Sequence, residues 1–265
     1  EQDQMLLGGM LTAAERGYRM IFELIDTHSD HVERELGAAI AALQPDGVIV
    51  TPPHSENPQI TGLLAENGIP FARIGSKEDG PGIAMTMGDE LLAGKATDHL
   101  IELGHMRIGF IAGPDEYSLA GWRTDGWREA MGNAELDCED LLEQGDFGFE
   151  SGLAAAQALL DRENPPTAII ASSDQMALAA LDVAKERGLH VPRDLSIVSF
   201  DNTPIVRFAT PSLTAVDQPI ARTAARAVEL LIDFNKHGAP QAPVVVEGEL
   251  IVRASTARAP TRSRT

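Results

Sequence analysis

Short apolar runs rich in Val, Ile and Phe alternate with stretches of helical periodicity along the whole chain. The runs fall at residues 18–24, 47–51, 71–74, 107–112, 168–171, 196–200 and 244–252, each of strand length. Between most of them, apolar side chains recur at i, i+3, i+4 and i+7. The clearest series is Ile220, Thr223, Ala224, Ala227, Val228 and Leu231, introduced by Gln218-Pro219, where proline suits a first helical position. A second is Leu92, Ala96, Leu100 and Leu103, closed by Gly104. A third opens at Ser172-Ser173-Asp174-Gln175, where Ser172 and Gln175 have capping-box spacing, and runs through Leu178 and Leu181 to Gly188. Strands separated by helices predict parallel sheets with helices on both faces.

The pattern runs through twice. It breaks at residues 75–88, where Gly75, Gly80, Pro81, Gly82 and Gly88 crowd together, and a second crossover is expected near Asp217. The expected fold is therefore α/β, with two similar doubly wound parallel-sheet lobes. Residues 1–87 plus 220–243 make the N-terminal lobe, 88–218 plus 244–256 the C-terminal lobe, and 257–265 a tail. Open α/β sheets bind ligands at the carboxyl ends of their strands, so a cleft between the lobes is the expected site. A doubly wound lobe normally begins with a central strand, whereas this chain opens in a helical pattern over residues 5–16. The first strand is expected to lie upstream. The tail, with Arg258, Arg262 and Arg264, reads as a frayed terminus rather than a basic arm.

Composition narrows the function. With 40 acidic against 21 basic residues the chain carries −19, a surface that repels phosphate backbones, so these residues are not themselves a nucleic-acid-binding module. No apolar run reaches the roughly 18 residues of a membrane span, and the start Glu1-Gln2-Asp3-Gln4 is not a signal peptide. The single cysteine, Cys138, excludes an internal disulfide and a cysteine metal cluster, and favours a reducing, cytoplasmic compartment.

Catalytic motifs are missing. There is no nucleophile elbow, phosphate loop or dinucleotide fingerprint, and in Gly148-Phe149-Glu150-Ser151-Gly152 the serine stands one place late for an elbow. His28 and His31 have H-x-x-H spacing without supporting ligands, and the acidic stretch Asp137-Cys138-Glu139-Asp140 lacks calcium-loop spacing. Both read as solvated loops. The chain is expected to hold no metal or cofactor and to be no enzyme.

Three residues carry binding chemistry. Arg123 lies shortly after the strand at 107–112, where its planar fork could reach hydroxyls or a carboxylate, or could pair on the surface with Asp125 or Glu129. Asp201 ends the strand at 196–200 and could accept from ligand hydroxyls or cap the turn at Asn202-Thr203-Pro204. Phe147, between Asp146 and Gly148, could stack on a sugar ring or serve packing.

Four longer stretches carry a family resemblance. Residues 96–114 read ATDHLIELGHMRIGFIAGP, 171–178 read ASSDQMAL, 191–201 read VPRDLSIVSFD, and 211–219 read PSLTAVDQP before a helix. In this order they closely resemble the lactose/galactose repressor family of bacterial transcription regulators, over nearly the whole chain. The resemblance implies a two-lobed core of the periplasmic-binding-protein-like type I, with a small-molecule effector, often a sugar, held between the lobes. It also implies a homodimer, and operator DNA bound through an N-terminal helix-turn-helix head outside this chain. Arg123 and Asp201 match the family's effector-binding arginine and aspartate, and Phe147 its stacking aromatic. Ser173 stands at a place where the family often has asparagine. Gln218 lies at a lobe crossover, Thr51 ends a strand facing the cleft, and Tyr117 lies in the loop before Arg123. Gly75 departs from several sugar-binding members, which carry aspartate there. The rival reading is an extracytoplasmic sugar-binding protein of a transporter. Arg123 and Asp201 are expected to meet across a closable gap, and Arg123→Ala to weaken effector binding with the fold intact.

Overall fold

The alternation of apolar residues along each strand assigns its two faces to different helices, and so makes both sheets doubly covered. A computed structural model describes residues 2–26 and 31–261. The chain divides into two units, Glu1–Met87 with Pro219–Glu247, and Gly88–Gln218 with Gly248–Thr265.

In the first unit, strands β1 (Val48–Val50), β2 (Phe71–Ile74), β3 (Ile83–Thr86) and β9 (Val244–Val245) form a parallel sheet in that order. Helices α1 (Gln2–Glu15), α2 (Val32–Leu43), α3 (Pro58–Glu66), α9 (Ile220–Ile232) and α10 (Phe234–His237) complete it. Val50 and Phe71 pack with Val32, Leu36, Ile60 and Leu64 of α2 and α3. Ala72, Ile74, Ile83 and Met85 pack instead with Ala227 of α9. Neighbouring Phe71 and Ala72 thus serve opposite faces, as the period of two requires.

In the second unit the strand order is β10-β8-β7-β6-β4-β5. Here β4 is Ile108–Ala112, β5 Leu142–Gln144, β6 Ala168–Ala171, β7 Ser196–Asp201, β8 Thr214–Asp217 and β10 Glu249–Ile251. All pairings are parallel except that of β10 with β8. Ile108, Phe110, Ala168, Ile170, Val198 and Phe200 face helices α4 (Asp89–Glu102) and α5 (Ser118–Asn133). Ile111, Ile169, Ala171 and Ile197 face α6 (Phe149–Leu160) and α7 (Asp174–Glu186). A short helix, α8 (Pro204–Arg207), follows β7. Helices α4 and α5 touch at Gly126, where a Cβ would stand 2.0 Å from the Glu90 carbonyl oxygen. Beside this contact Trp127 is fully buried, stacked on Phe110 with ring centroids 5.3 Å apart.

Several sequence expectations change. No strand forms at residues 18–24, whose Ile21 and Leu24 are 61% and 92% exposed. A strand needs a hydrogen-bonded neighbour, and β1 pairs only with β2 among the described residues. The run at 244–252 is two strands, not one. Val244–Val245 joins the first sheet and Glu249–Ile251 the second, because the chain crosses between units at Glu247/Gly248. Residues 244–247 therefore belong with the N-terminal unit rather than the C-terminal one. The helix-terminal capping role falls to Ser173 rather than Ser172: the Ser173 Oγ accepts the Met176 N–H at 3.2 Å. The tail starts later than 257, since the Ala257 carbonyl accepts from His105 and the Ala259 N–H donates to Leu103. Arg262 and Arg264 lie outside the described residues, as does His28.

Candidate functional site

Because β4 to β8 are mutually parallel, their carboxyl ends line one edge of the second sheet. Candidate residues of this unit follow those ends in turn: Tyr117 and Arg123 after β4, Phe147 after β5, Ser173 after β6 and Gln218 after β8, with Asp201 the last residue of β7. Arg123 and Asp201 thus stand on the same unit, not on opposite sides of a gap, because the chain completes both β4 and β7 before it crosses back. Thr51 belongs to the first unit. It follows β1, and its carbonyl accepts from the His54 and Ser55 N–H groups at 2.9 and 3.1 Å.

Arg123 lies on α5 and is 2% exposed. Its Nε donates to Asp89 Oδ1 at 2.8 Å and its Nη1 to the Ser172 carbonyl at 2.6 Å. The guanidinium carbon stands 4.6 Å from the centroid of the Phe200 ring and 5.9 Å from that of Phe147. Arg123 is thus not the surface arginine weighed from sequence, and Asp125 lies 3.6 Å from Arg128. Asp89 was missed by sequence reading. It begins α4, is fully buried, and its Oδ1 also accepts from Gln218 Nε2 at 2.7 Å. Its only signal was an acidic residue after the glycine-rich stretch, which any helix start could show.

Phe147 holds φ at 69°, in the left-handed region that side chains with a Cβ rarely adopt. Three contacts keep it there. Its carbonyl accepts from Ser173 Oγ at 2.8 Å, and its ring meets Tyr117 edge-on with centroids 5.5 Å apart. The same ring covers Gly113, where a Cβ would lie 2.2 Å from Phe147 Cε1.

Asp201 and Asn202 are strained in the same way, with φ of 93° and 57°. Three of the five non-glycine residues with positive φ among those described sit on this edge. Such strain costs of order 1–3 kcal/mol per residue and persists only where neighbours hold it. Asp174, also missed, supplies the hold. Its Oδ2 accepts from the Thr203 N–H and Oγ1, each at 2.6 Å, and its Oδ1 from Ser199 Oγ at 2.5 Å. Burial pushes the Asp174 carboxyl up from its ordinary range despite these bonds. Asn202 donates to Asp217 and accepts from Arg253 Nη2 at 2.6 Å.

The sets dismissed from sequence have ordinary bonding roles. Asp140 accepts from Arg107 Nη2 at 2.7 Å, which lowers its carboxyl pKa, and Asp137 closes a turn on the Glu139 N–H. Ser151 donates to Asp146, whose carboxyl is lowered by that bond and by the Gly148 N–H. No group of three or more His, Cys, Asp or Glu able to hold a metal occurs among the described residues. No helix among them is long and apolar enough to cross a membrane.

A family model for a periplasmic binding protein-like domain matches residues 97–256. The HTH-type transcriptional regulator CelR of Thermobifida fusca is 34% identical over 258 residues, covering 95% of this chain and 74% of that protein. A solved CelR–cellobiose complex matches with a TM-score of 0.85 at 33% identity, over 96% of this chain and 78% of that one. A LacI-family regulatory protein from Chloroflexus aggregans gives a TM-score of 0.87 at 30% identity, over 96% and 92% of the two chains. These relatives are transcription regulators rather than transporter-binding proteins. Family match, relatives and fold agree: the chain belongs to the LacI family of transcriptional regulators, through its periplasmic-binding-protein-like core.

Proposed function

We propose that this chain is the effector-sensing core of a cytoplasmic, non-catalytic transcription regulator whose ligand is a small polyhydroxylated molecule, a sugar. One observation carries the reading. A guanidinium held on both sides by protein partners, an aromatic ring and a carboxylate occupy one strand edge, and the latter two are on strained backbone. The fork and the carboxylate suit hydroxyl pairs, and the Phe147 ring suits the C–H face of a sugar ring. The CelR structure was solved with cellobiose, which supports the class. On this reading Arg123, Asp201, Phe147, Ser173, Gln218 and Tyr117 contribute to the effector site. The chain works as a homodimer whose ligand state is read by operator DNA through a helix-turn-helix head. Coupling of ~1–3 kcal/mol between the two ligands changes DNA affinity roughly 5–150-fold.

A thermal-shift screen of sugars including cellobiose, nucleosides and small acids tests the class. A true effector at 100 times its Kd stabilises the folded state by about 2.7 kcal/mol. Stabilisation by a nucleoside or an acid, with none by any sugar, refutes the sugar assignment. Calorimetry on Arg123→Lys, which keeps the charge but loses the fork, is expected to show affinity reduced by about tenfold or more. Unchanged affinity removes Arg123 from the site.

A further inference from the structure

Arg123 does not present an uncompensated positive charge. The side chains of Arg123 and Asp89 are 3% and 0% exposed, and their ion pair closes at 2.8 Å. Two charges so buried are tolerated only as a hydrogen-bonded pair. The same Asp89 oxygen takes the Gln218 amide, and the Ser172 carbonyl takes Nη1, so the cation is met by a carboxylate on one side and a carbonyl dipole on the other. The guanidinium carbon also lies 4.6 Å from the Phe200 ring centroid.

We infer that Asp89 is a specificity-determining positioning residue: as the counter-ion of Arg123, it makes the site select an uncharged polyol over the anionic form of the same molecule. Neutralised in this way, the guanidinium acts as a flat hydrogen-bond fork and stacking surface, not as an anion trap. A hydroxylated ligand brings donors and acceptors but no net charge. A carboxylate or phosphate would add a second negative charge beside the buried Asp89, where like charges repel strongly. The inference rests on the effector reading above and adds the charge class of its ligand.

The test compares matched pairs by calorimetry: cellobiose with cellobiouronate, and glucose with glucuronate, each pair differing by one hydroxymethyl against one carboxylate. The wild-type chain is expected to favour the neutral member by about tenfold or more, which needs ~1.4 kcal/mol of discrimination. Asp89→Asn keeps an oxygen for the Arg123 and Gln218 N–H groups but drops the charge, so the affinity ratio should swing toward the anion by about tenfold. Asp89→Glu, which restores the charge, should return the ratio toward wild type. If the variants fail to fold, the wild-type ratio still decides. Wild-type affinity for the anion equal to or above that for the neutral sugar overturns the inference. So does a ratio unchanged in a folded Asp89→Asn, the result a merely structural role would give. Binding of neither member of either pair, with no sugar stabilising the chain in the thermal-shift screen, overturns the sugar reading itself, which the first two outcomes leave standing.

Discussion

At the scale of single residues, Arg123 and Asp89 stand or fall together. Their side chains are nearly inaccessible and share a 2.8 Å ion pair, so removing either leaves an uncompensated charge in the interior. Burial of the pair argues against the expectation that Arg123→Ala leaves the fold intact. That substitution is expected to cost about 3–5 kcal/mol, read as a lowered urea midpoint. Adding Asp89→Ala should recover part of the loss, and a double variant as unstable as the sum of the two singles would show that the charges do not interact. Sequence could nominate Arg123, Phe147 and Asp201 from their places after strands. It could not show that Arg123 pairs with a residue 34 positions earlier rather than with Asp125 on its own helix. Spacing of i, i+3 or i+4 exposes only partners on the same helix, and burial decides which partner a charge takes.

Among the elements, the amino ends of β4, β6 and β7 are gathered by one imidazole. His105 is 1% exposed, its Nδ1 lies 2.8 Å from Thr167 Oγ1, and its Nε2 lies 3.0 Å from the Ala257 carbonyl and 3.1 Å from Ser196 Oγ. A carbonyl only accepts, so Nε2 carries the hydrogen and Nδ1 accepts from the threonine. Burial lowers the pKa of this histidine below its usual 6.5, outweighing the opposite pull of the Ala257 bond. The folded state keeps the ring neutral while the unfolded chain takes up a proton, so stability is full above pH 6.5 and falls as pH drops through the window beneath it. His99 is lowered for the same reason and acts in the same direction. Urea midpoints measured from pH 7.5 to 5 should fall, and His105→Gln should flatten part of that slope while lowering stability overall. An unchanged slope would place the acid sensitivity elsewhere. Strands of clear apolar character, such as β4, β6 and β7, were legible along the chain. Strands β5 and β8 were not, because Glu143, Gln144, Thr214 and Asp217 interrupt any apolar run and the strands gain their place from neighbours already in the sheet.

For the whole molecule, net charge and topology matter most. At −19 the chain should not bind duplex DNA at physiological salt, and fluorescence anisotropy with a labelled duplex checks this. Saturable, salt-sensitive binding would refute it. Sequence by itself determined the alternation of strands and helices, the double winding and the placing of binding chemistry at strand ends, because periods of 2 and 3.6 are local consequences of backbone geometry. It also carried the family, through motifs kept in register along the chain. Only the tertiary structure decided that the run at 244–252 divides between two sheets, that residues 18–24 stay unpaired as a strand, and that Asp89 and Asp174 support the candidate edge. Each of these depends on a hydrogen-bonded or charged neighbour distant in sequence, and such neighbours are chosen by packing and desolvation of the folded whole, which no local pattern encodes.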